Sequence, residues 1–222
     1  MKITYFGHSS FLVEAEDGTS IILDPYLSGS FDGAVKYEPI TESADAVLAS
    51  HDHDDHGATG TVRGEPLTAV FPTSEHIGPF EVTGVEVAHD GSKGSERGRN
   101  TIMVLEGEGI RLVHLGDLGH LLEADTVEAI GKVDVLMIPV GGFFTIDEKE
   151  AAKVVKALNP RLLIPMHYKT DKIDFPIAPV DGFLDTQKKA KNKVIEEDSS
   201  VMEVNRDTLP LECTTVVLQP SH

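Results

Sequence analysis

Residues 51–56 read His-Asp-His-Asp-Asp-His, directly after the short apolar run Asp45-Ala46-Val47-Leu48-Ala49-Ser50. The run has the length and content of a buried strand. A hexapeptide with three imidazoles cannot carry that strand onward into a core, because every buried ring nitrogen would need a partner. The chain must therefore turn out at the strand's carboxyl end, onto a loop that a rigid scaffold can hold. In such a loop the first two rings, two residues apart, can converge on one ion. Asp55 and His56 can turn to a second, within the roughly 3.5–4 Å of two-metal sites. Imidazole with carboxylate suits zinc, iron or manganese. The plainer alternative is a solvated acidic loop with scattered histidines.

One hexapeptide cannot complete two metal sites, so further donors must come from distant strand ends. His89 closes the strand pattern Val85-Glu86-Val87-Ala88, and Asp117 follows Ile110–Leu115 after a break at Gly116. His167 follows Leu162-Leu163-Ile164-Pro165-Met166. A carboxylate at position 117 can bridge two ions with its two oxygens; its alternative role is a helix N-cap. His89 alone would be a turn residue, and His167 alone a core histidine bonded to a carbonyl.

Other residues earn a place by context. His8, in Phe6-Gly7-His8-Ser9-Ser10, sits between two strand patterns and is a candidate proton donor, substrate contact or turn cap. Asp24 ends Ile21-Ile22-Leu23 before Pro25 and could orient a ligand histidine through its other ring nitrogen. The loop Ser95-Glu96-Arg97-Gly98-Arg99-Asn100 follows His89. From it, Arg97 and Asn100 are candidate substrate-binding residues, an arginine fork matching a carboxylate or phosphate. Gly141-Gly142-Phe143-Phe144-Thr145 could form an apolar wall or belong to the core. His114 reads as structural, His120 as a weak approach to the site, and His76 and His222 have no supporting context.

At 222 residues, one domain spanning 1–222 is expected. No apolar stretch reaches the ~18–20 residues of a membrane span. The start runs straight into a strand pattern without the layout of a secretory signal. A lone Cys213 excludes an intramolecular disulfide. A cytoplasmic chain with no membrane association fits. The formal net charge of −18 argues against nucleic acid as a partner, since such binding depends on neutralising phosphates.

Strand patterns fall at Ile3–Phe6, Ser10–Ala15, Ser20–Asp24, Ala46–Ser50, Glu81–His89, Thr101–Glu106, Ile110–Leu115, Val133–Ile138, Leu162–Pro165, Val201–Val204 and Thr214–Leu218. Helical patterns cover Glu123–Ile130, Asp147–Leu158 and part of Val180–Val194, with a capping box expected at Thr145–Glu148 and a stop at Asn159-Pro160. Early hairpins followed by strand–helix–strand units suggest sheets with helices outside.

The motif His51-x-His53-x-Asp55-His56, followed in order by His89, Asp117 and His167, resembles the metallo-β-lactamase-fold superfamily along the whole chain. Gly7-His8-Ser9-Ser10-Phe11, Leu23-Asp24-Pro25, Gly116-Asp117-Leu118-Gly119-His120 and Pro165-Met166-His167-Tyr168 are similar to its small zinc-dependent hydrolases related to the L-ascorbate-phosphate lactonases. The resemblance implies an α/β (α+β) fold, a four-layer αββα sandwich of two mixed sheets flanked by helices. It implies two divalent ions, zinc first and manganese or iron as alternatives. His51, His53 and His89 would hold one, Asp55, His56 and His167 the other, with Asp117 bridging.

The function implied is cleavage of an ester, lactone or phosphodiester bond in a small anionic metabolite by a hydroxide shared between the ions. Asp55 and His8 are then the candidate catalytic residues. A phosphodiesterase or nuclease on the same fold, and a non-catalytic metal-binding regulatory module, are the alternatives. Relatives of this branch often assemble, so a homo-oligomer is an allowed state. His53 replaces the glutamate of many di-iron relatives, which favours a hydrolytic metal. The basic cluster of glutathione thioester hydrolases is absent, and the chain is shorter than the lactonases.

Overall fold

The computed structural model describes residues 1–222. Its strands in chain order are β1 (Lys2–Gly7), β2 (Ser10–Glu14), β3 (Ser20–Leu23), β4 (Ala46–Ala49), β5 (Leu67–Val70), β6 (Ser74–Ile77) and β7 (Phe80–Ala88). Then follow β8 (Arg99–Gly107), β9 (Ile110–His114), β10 (Val135–Pro139), β11 (Leu162–Met166), β12 (Lys193–Glu196), β13 (Val201–Glu203) and β14 (Thr214–Val217). They build a six-stranded sheet in the order 13-1-2-3-4-5 and an eight-stranded sheet in the order 12-14-11-10-9-8-7-6. Both sheets are mixed: β3, β4 and β5 run parallel, as do β9, β10, β11, β14 and β12, and the antiparallel pairs are hairpins apart from β1 with the distant β13.

Successive side chains of a strand point to opposite faces, and here both faces are apolar. Ile3, Tyr5, Phe11, Val13, Ile21, Leu23 and Leu48 meet Met103, Leu105, Leu112, Met137 and Ile164 between the sheets. The alternate residues Ile102, Val104, Leu136, Ile138 and Leu163 face outward onto helices Ala124–Ile130, Glu148–Leu158 and Asp181–Lys189, through Ile130, Val154, Leu158, Phe183 and Leu184. Phe6, Leu12, Ile22 and Val47 face outward on the other side, under Tyr26, Val35, Tyr37, Ile40, Ile173, Phe175 and Ile177. A core residue such as Ile22, fully buried, would cost about 2–5 kcal/mol if cut to alanine.

The four layers expected from the sequence are therefore present, with one difference. The layer over the six-stranded sheet is mostly loop, with a short 3₁₀ turn at Thr59–Thr61. The segment Ser30–Gly33 within it is turned by left-handed backbone at Phe31 (φ 51°) and Asp32 (φ 56°). No helix is long and apolar enough to cross a membrane.

The expected helix boundaries shift locally. The capping box is built on Asp147, not Thr145: Asp147 Oδ1 accepts from the amides of Lys149 and Glu150, and Glu150 returns a bond to the Asp147 amide. Thr145 is buried with its hydroxyl turned to the Ile146 carbonyl, so it cannot cap. The third helix, Asp181–Lys189, falls within the expected window Val180–Val194, and it ends where Lys191 turns left-handed (φ 66°) into β12.

Candidate metal centre

Asp24 follows β3, Ser50 and His51 follow β4, His89 follows β7, Asp117 lies just beyond β9 and His167 follows β11. His8 occupies the turn between β1 and β2. The carboxyl ends of parallel strands are where open sheets present ligands. Two backbone bonds tie the sheets together there, His167 N–H to the His8 carbonyl at 2.9 Å and Thr101 N–H to the Ser50 carbonyl at 2.9 Å.

The strand-end residues the sequence singled out converge. Donor atoms of His51, His53 and His89 lie within 4.8 Å of one another, as do those of His8, Asp55, His56 and His167, and those of His51, His56 and Asp117. Asp117 sits at the centre. Its Oδ2 is 3.2 Å from His89 Nε2, 3.4 Å from His167 Nε2 and 3.9 Å from His51 Nε2, and its Oδ1 is 3.1 Å from His56 Nε2. Yet His51 Nε2, His56 Nε2, His167 Nε2 and Asp117 Oδ1 are buried with no hydrogen-bond partner. Orphaned buried polar atoms are rare and costly. Four of them aimed at one small volume are what a cation requires of its donors.

The supporting bonds set the tautomers. Asp24 is fully buried and accepts three bonds: from Ser50 N–H (2.6 Å), from Ser50 Oγ–H (2.7 Å) and from His56 Nδ1–H (2.7 Å). Ser50 has thus given away its one hydroxyl proton. At 3.0 Å from His51 Nδ1, its oxygen must accept Nδ1–H. With Nδ1–H committed in this way, the neutral rings of His51 and His56 each present a bare Nε2 toward Asp117, the form a metal ligand needs. His114, read as structural, is so: Nδ1 accepts from Gly116 N–H (3.1 Å), leaving Nε2–H for the Ser9 carbonyl (2.9 Å).

Charges follow the same pattern. Burial and the nearby His56 charge lower His51 to about 3, leaving it neutral at pH 7. Burial and His167 lower His8 to about 4 despite the pull of Asp55. Burial alone would raise the Asp117 carboxyl, but the histidines His167 and His56 hold it well below the ordinary range. Burial alone would lower His56; the Asp117 and Asp55 carboxylates raise it instead. A divalent ion would supply the positive charge those carboxylates favour.

Two further residues fix Asp117. Asn100 is fully buried; its Nδ2 donates to the Leu115 carbonyl (2.9 Å) and its Oδ1 accepts the Asp117 amide (3.0 Å). It faces no cavity, so the substrate-binding role expected of it is replaced by support of the loop that carries Asp117. Gly116, at φ +54°, makes that loop possible, since a Cβ there would strike Asn100 Oδ1 and Ser50 Cβ.

Asp24 (φ 45°), His8 (φ 53°) and His167 (φ 51°) share the left-handed region that side chains rarely adopt. Each such residue carries about 1–3 kcal/mol of strain.

A cavity of about 200 Å³ opens over the cluster, lined by His53, Asp55, His89, Asp117, Arg97, Phe31, Phe144 and Phe175. His8 is fully buried behind Asp55, its Nε2 3.2 Å from Asp55 Oδ2, and it lies outside this lining. His120 turns to the Leu121 carbonyl, and Arg99 pairs with Glu86 over the Phe71 ring. Of the sequence candidates in this loop, Arg97 alone reaches the cavity.

Sequence reading missed Ser50, whose signal was its position between Ala49 and His51. It also missed Asp90, which accepts the amides of Ser92, Gly94, Glu96 and Arg97 and so shapes the whole loop. The Asp-Gly step at 90–91 was the available sign of such a turn.

Residues 2–167 match the model of the β-lactamase superfamily domain. A metal-dependent hydrolase of the UPF0173 group from Carboxydothermus hydrogenoformans is 34% identical over 207 residues, covering 82% of this chain and 88% of its own. One from Pyrococcus furiosus is 32% identical over 195 residues, covering 77% and 85%. A solved structure from Thermotoga maritima, assigned as a Zn-dependent hydrolase of the metallo-β-lactamase superfamily, superposes with a TM-score of 0.79 at 37% identity, covering 98% of this chain and 97% of that one. With matches of this length in sequence and in fold, the chain belongs to the metallo-β-lactamase superfamily and is a metal-dependent hydrolase of it.

Proposed function

We propose that this chain cleaves an ester, lactone or phosphodiester bond in a small anionic metabolite, with two divalent ions in its site. His51, His53 and His89 would hold one ion, Asp55, His56 and His167 the other, and Asp117 both. The observation that carries this reading is the set of buried, unpartnered donor atoms around Asp117. Nitrogen-rich donors with carboxylates favour zinc, with manganese or iron as alternatives. Bound there, such ions lower a water's pKa from about 15.7 toward ~7 and polarise the scissile group.

The chain's own residues do the rest. Asp55 lines the cavity, and the neighbouring histidines outweigh its burial to keep it ionised, so its carboxylate can accept a hydrogen bond from the attacking water and orient it. His8 is neutral and donates Nε2–H to Asp55 Oδ2, so it acts as a positioning residue through Asp55. Asp24 and Ser50 hold the tautomers of His56 and His51. Arg97 is the one cation among the lining residues, which offers no basic track for a nucleic-acid strand.

The test is elemental analysis of protein purified without added metal, beside an Asp117→Ala variant, followed by a panel of lactones, esters and phosphodiesters. About two ions per chain, lost in the variant, together with turnover of a panel member, is the expected result. Zero or one ion, unaffected by the substitution, overturns the dinuclear reading. Cleavage of labelled RNA against a metal-stripped control would move the substrate to the nuclease alternative.

A further inference from the structure

The cavity walls are sorted by character. Phe31 meets Phe175 edge-on at 5.3 Å between ring centroids, and Phe175 meets Phe144 at 5.7 Å. Phe143 continues the row 4.7 Å beyond Phe144 and is 64% exposed. An aromatic strip thus runs from the buried centre out to the surface. The other lining residues are polar, and Arg97 is the one lysine or arginine among them, on a chain whose net charge is −18.

The guanidinium of Arg97 donates no hydrogen bond within the chain, in contrast to those of Arg111 and Arg161. Arg111 donates to the Ile130 carbonyl and pairs with Glu106, and Arg161 donates to the Leu209 and Pro210 carbonyls. The carboxylate near Arg97, Glu96, stands 3.9 Å away, beyond hydrogen-bond length. The guanidinium carbon lies 5.7 Å from the centre of the Phe144 ring. Its backbone is fixed, because the Arg97 amide donates to Asp90 Oδ2 at 2.8 Å, and Asp90 is the neighbour of His89. A fork of planar donors, held at a cavity rim beside an aromatic face, matches a carboxylate attached to an apolar group.

Size limits that group. A cavity of about 150 Å³ takes a benzene, so the part of a ligand seated in about 200 Å³ is one ring and a few more atoms, and anything larger extends into solvent along Phe143. We propose that the site selects compact aryl carboxylates, with Arg97 as the specificity-determining residue for the carboxylate and the Phe31–Phe175–Phe144 strip as the seat of the ring. This deepens the hydrolase reading and rests on it for the bond broken, but not for what the cavity binds.

The test is calorimetric titration of the metal-loaded protein with benzoate, its neutral isostere benzamide, and acetate. Wild type should bind benzoate more tightly than either. Arg97→Met should weaken benzoate roughly 10- to 100-fold, the range of a hydrogen bond to a charged group, and leave benzamide unchanged. Arg97→Lys should recover part of the loss. Phe144→Ala should weaken benzoate and benzamide together and spare acetate. Equal binding of benzoate and benzamide by wild type, or benzoate binding unchanged by Arg97→Met, overturns the proposal; the latter would mean that the anion sits on the ions. Ion counts and ester turnover are measured on the same samples. If they fail while the Arg97-dependent preference for benzoate stands, the hydrolase reading falls and this one survives.

Discussion

The two halves of the centre are held very differently. Asp55, His56 and His167 are all buried, with His56 braced by Asp24, Asp55 by His8, and the His167 amide by the His8 carbonyl. In the other half, His51 is braced by Ser50, but His53 is exposed and its ring leans on those of His51 and His89. His89 Nδ1 has no partner, which is also true of His167 Nδ1 in the first half, so the halves differ chiefly at the exposed His53. Donors whose rings are fixed by other residues need less ordering when they bind. On the two-ion proposal, the inner position would retain its ion, and the outer one, which shares the cavity with Arg97, would meet the substrate and exchange more readily.

The largest effect should come from the residue common to both halves. Asp117→Ala is expected to empty both positions and bring hydrolysis to background, read by elemental analysis and turnover. Retention of one tightly held ion would show that the halves are independent. Next, Asp24→Asn removes the acceptor that fixes His56 and anchors Ser50. Metal affinity should fall 10- to 100-fold, the usual cost of losing such support. Chelator competition should register most of that loss in the more slowly released ion; a loss confined to the fast ion would reverse the comparison.

His53→Ala should remove the outer ion alone, leaving about one per chain and little change in thermal unfolding, because the side chain is exposed. Biphasic release from wild type becoming a single slow phase in this variant is the matching kinetic sign; a single fast phase would contradict it. The smallest of the set concerns the loop under the outer half. Asp90→Ala strands four amides and should destabilise the fold by about 1–3 kcal/mol in denaturant, less where water reaches the loop. Benzoate binding should weaken as Arg97 shifts, while the inner ion stays. An unchanged unfolding midpoint would show that Asp90 does not hold the loop.

How much of this could be read from the sequence follows from what each feature depends on. The histidine-rich loop and the strand-end residues were legible because residue type carries the chemistry and an apolar run before each one marks the strand end. The strands missed had no such marks. In β5, Leu67–Val70 lies at a sheet edge with mostly exposed side chains, so no buried face shapes its pattern. In β6, Ser74–Ile77 is polar but for Ile77, and β12 was absorbed into the apparent helix before it. Asn100 and Arg97 sit three residues apart, one inside β8 and one in the loop before it, and the sequence does not mark that boundary. Only the approach of Gly116 and Leu115 turns Asn100 inward and leaves Arg97 at the rim.

The three left-handed residues Asp24, His8 and His167 have an evolutionary consequence. At each, glycine would relax the backbone, by up to about 1–3 kcal/mol. A population of variants screened only for resistance to heat should therefore feel that pull toward glycine at His8 and His167, whereas Asp24 is also held by the three buried bonds it accepts. A screen for turnover should hold all three against that pull. Left-handed residues also occur in plain turns, as at Glu108 and Lys191; it is the gathering of three of them around one buried cluster that sets this place apart.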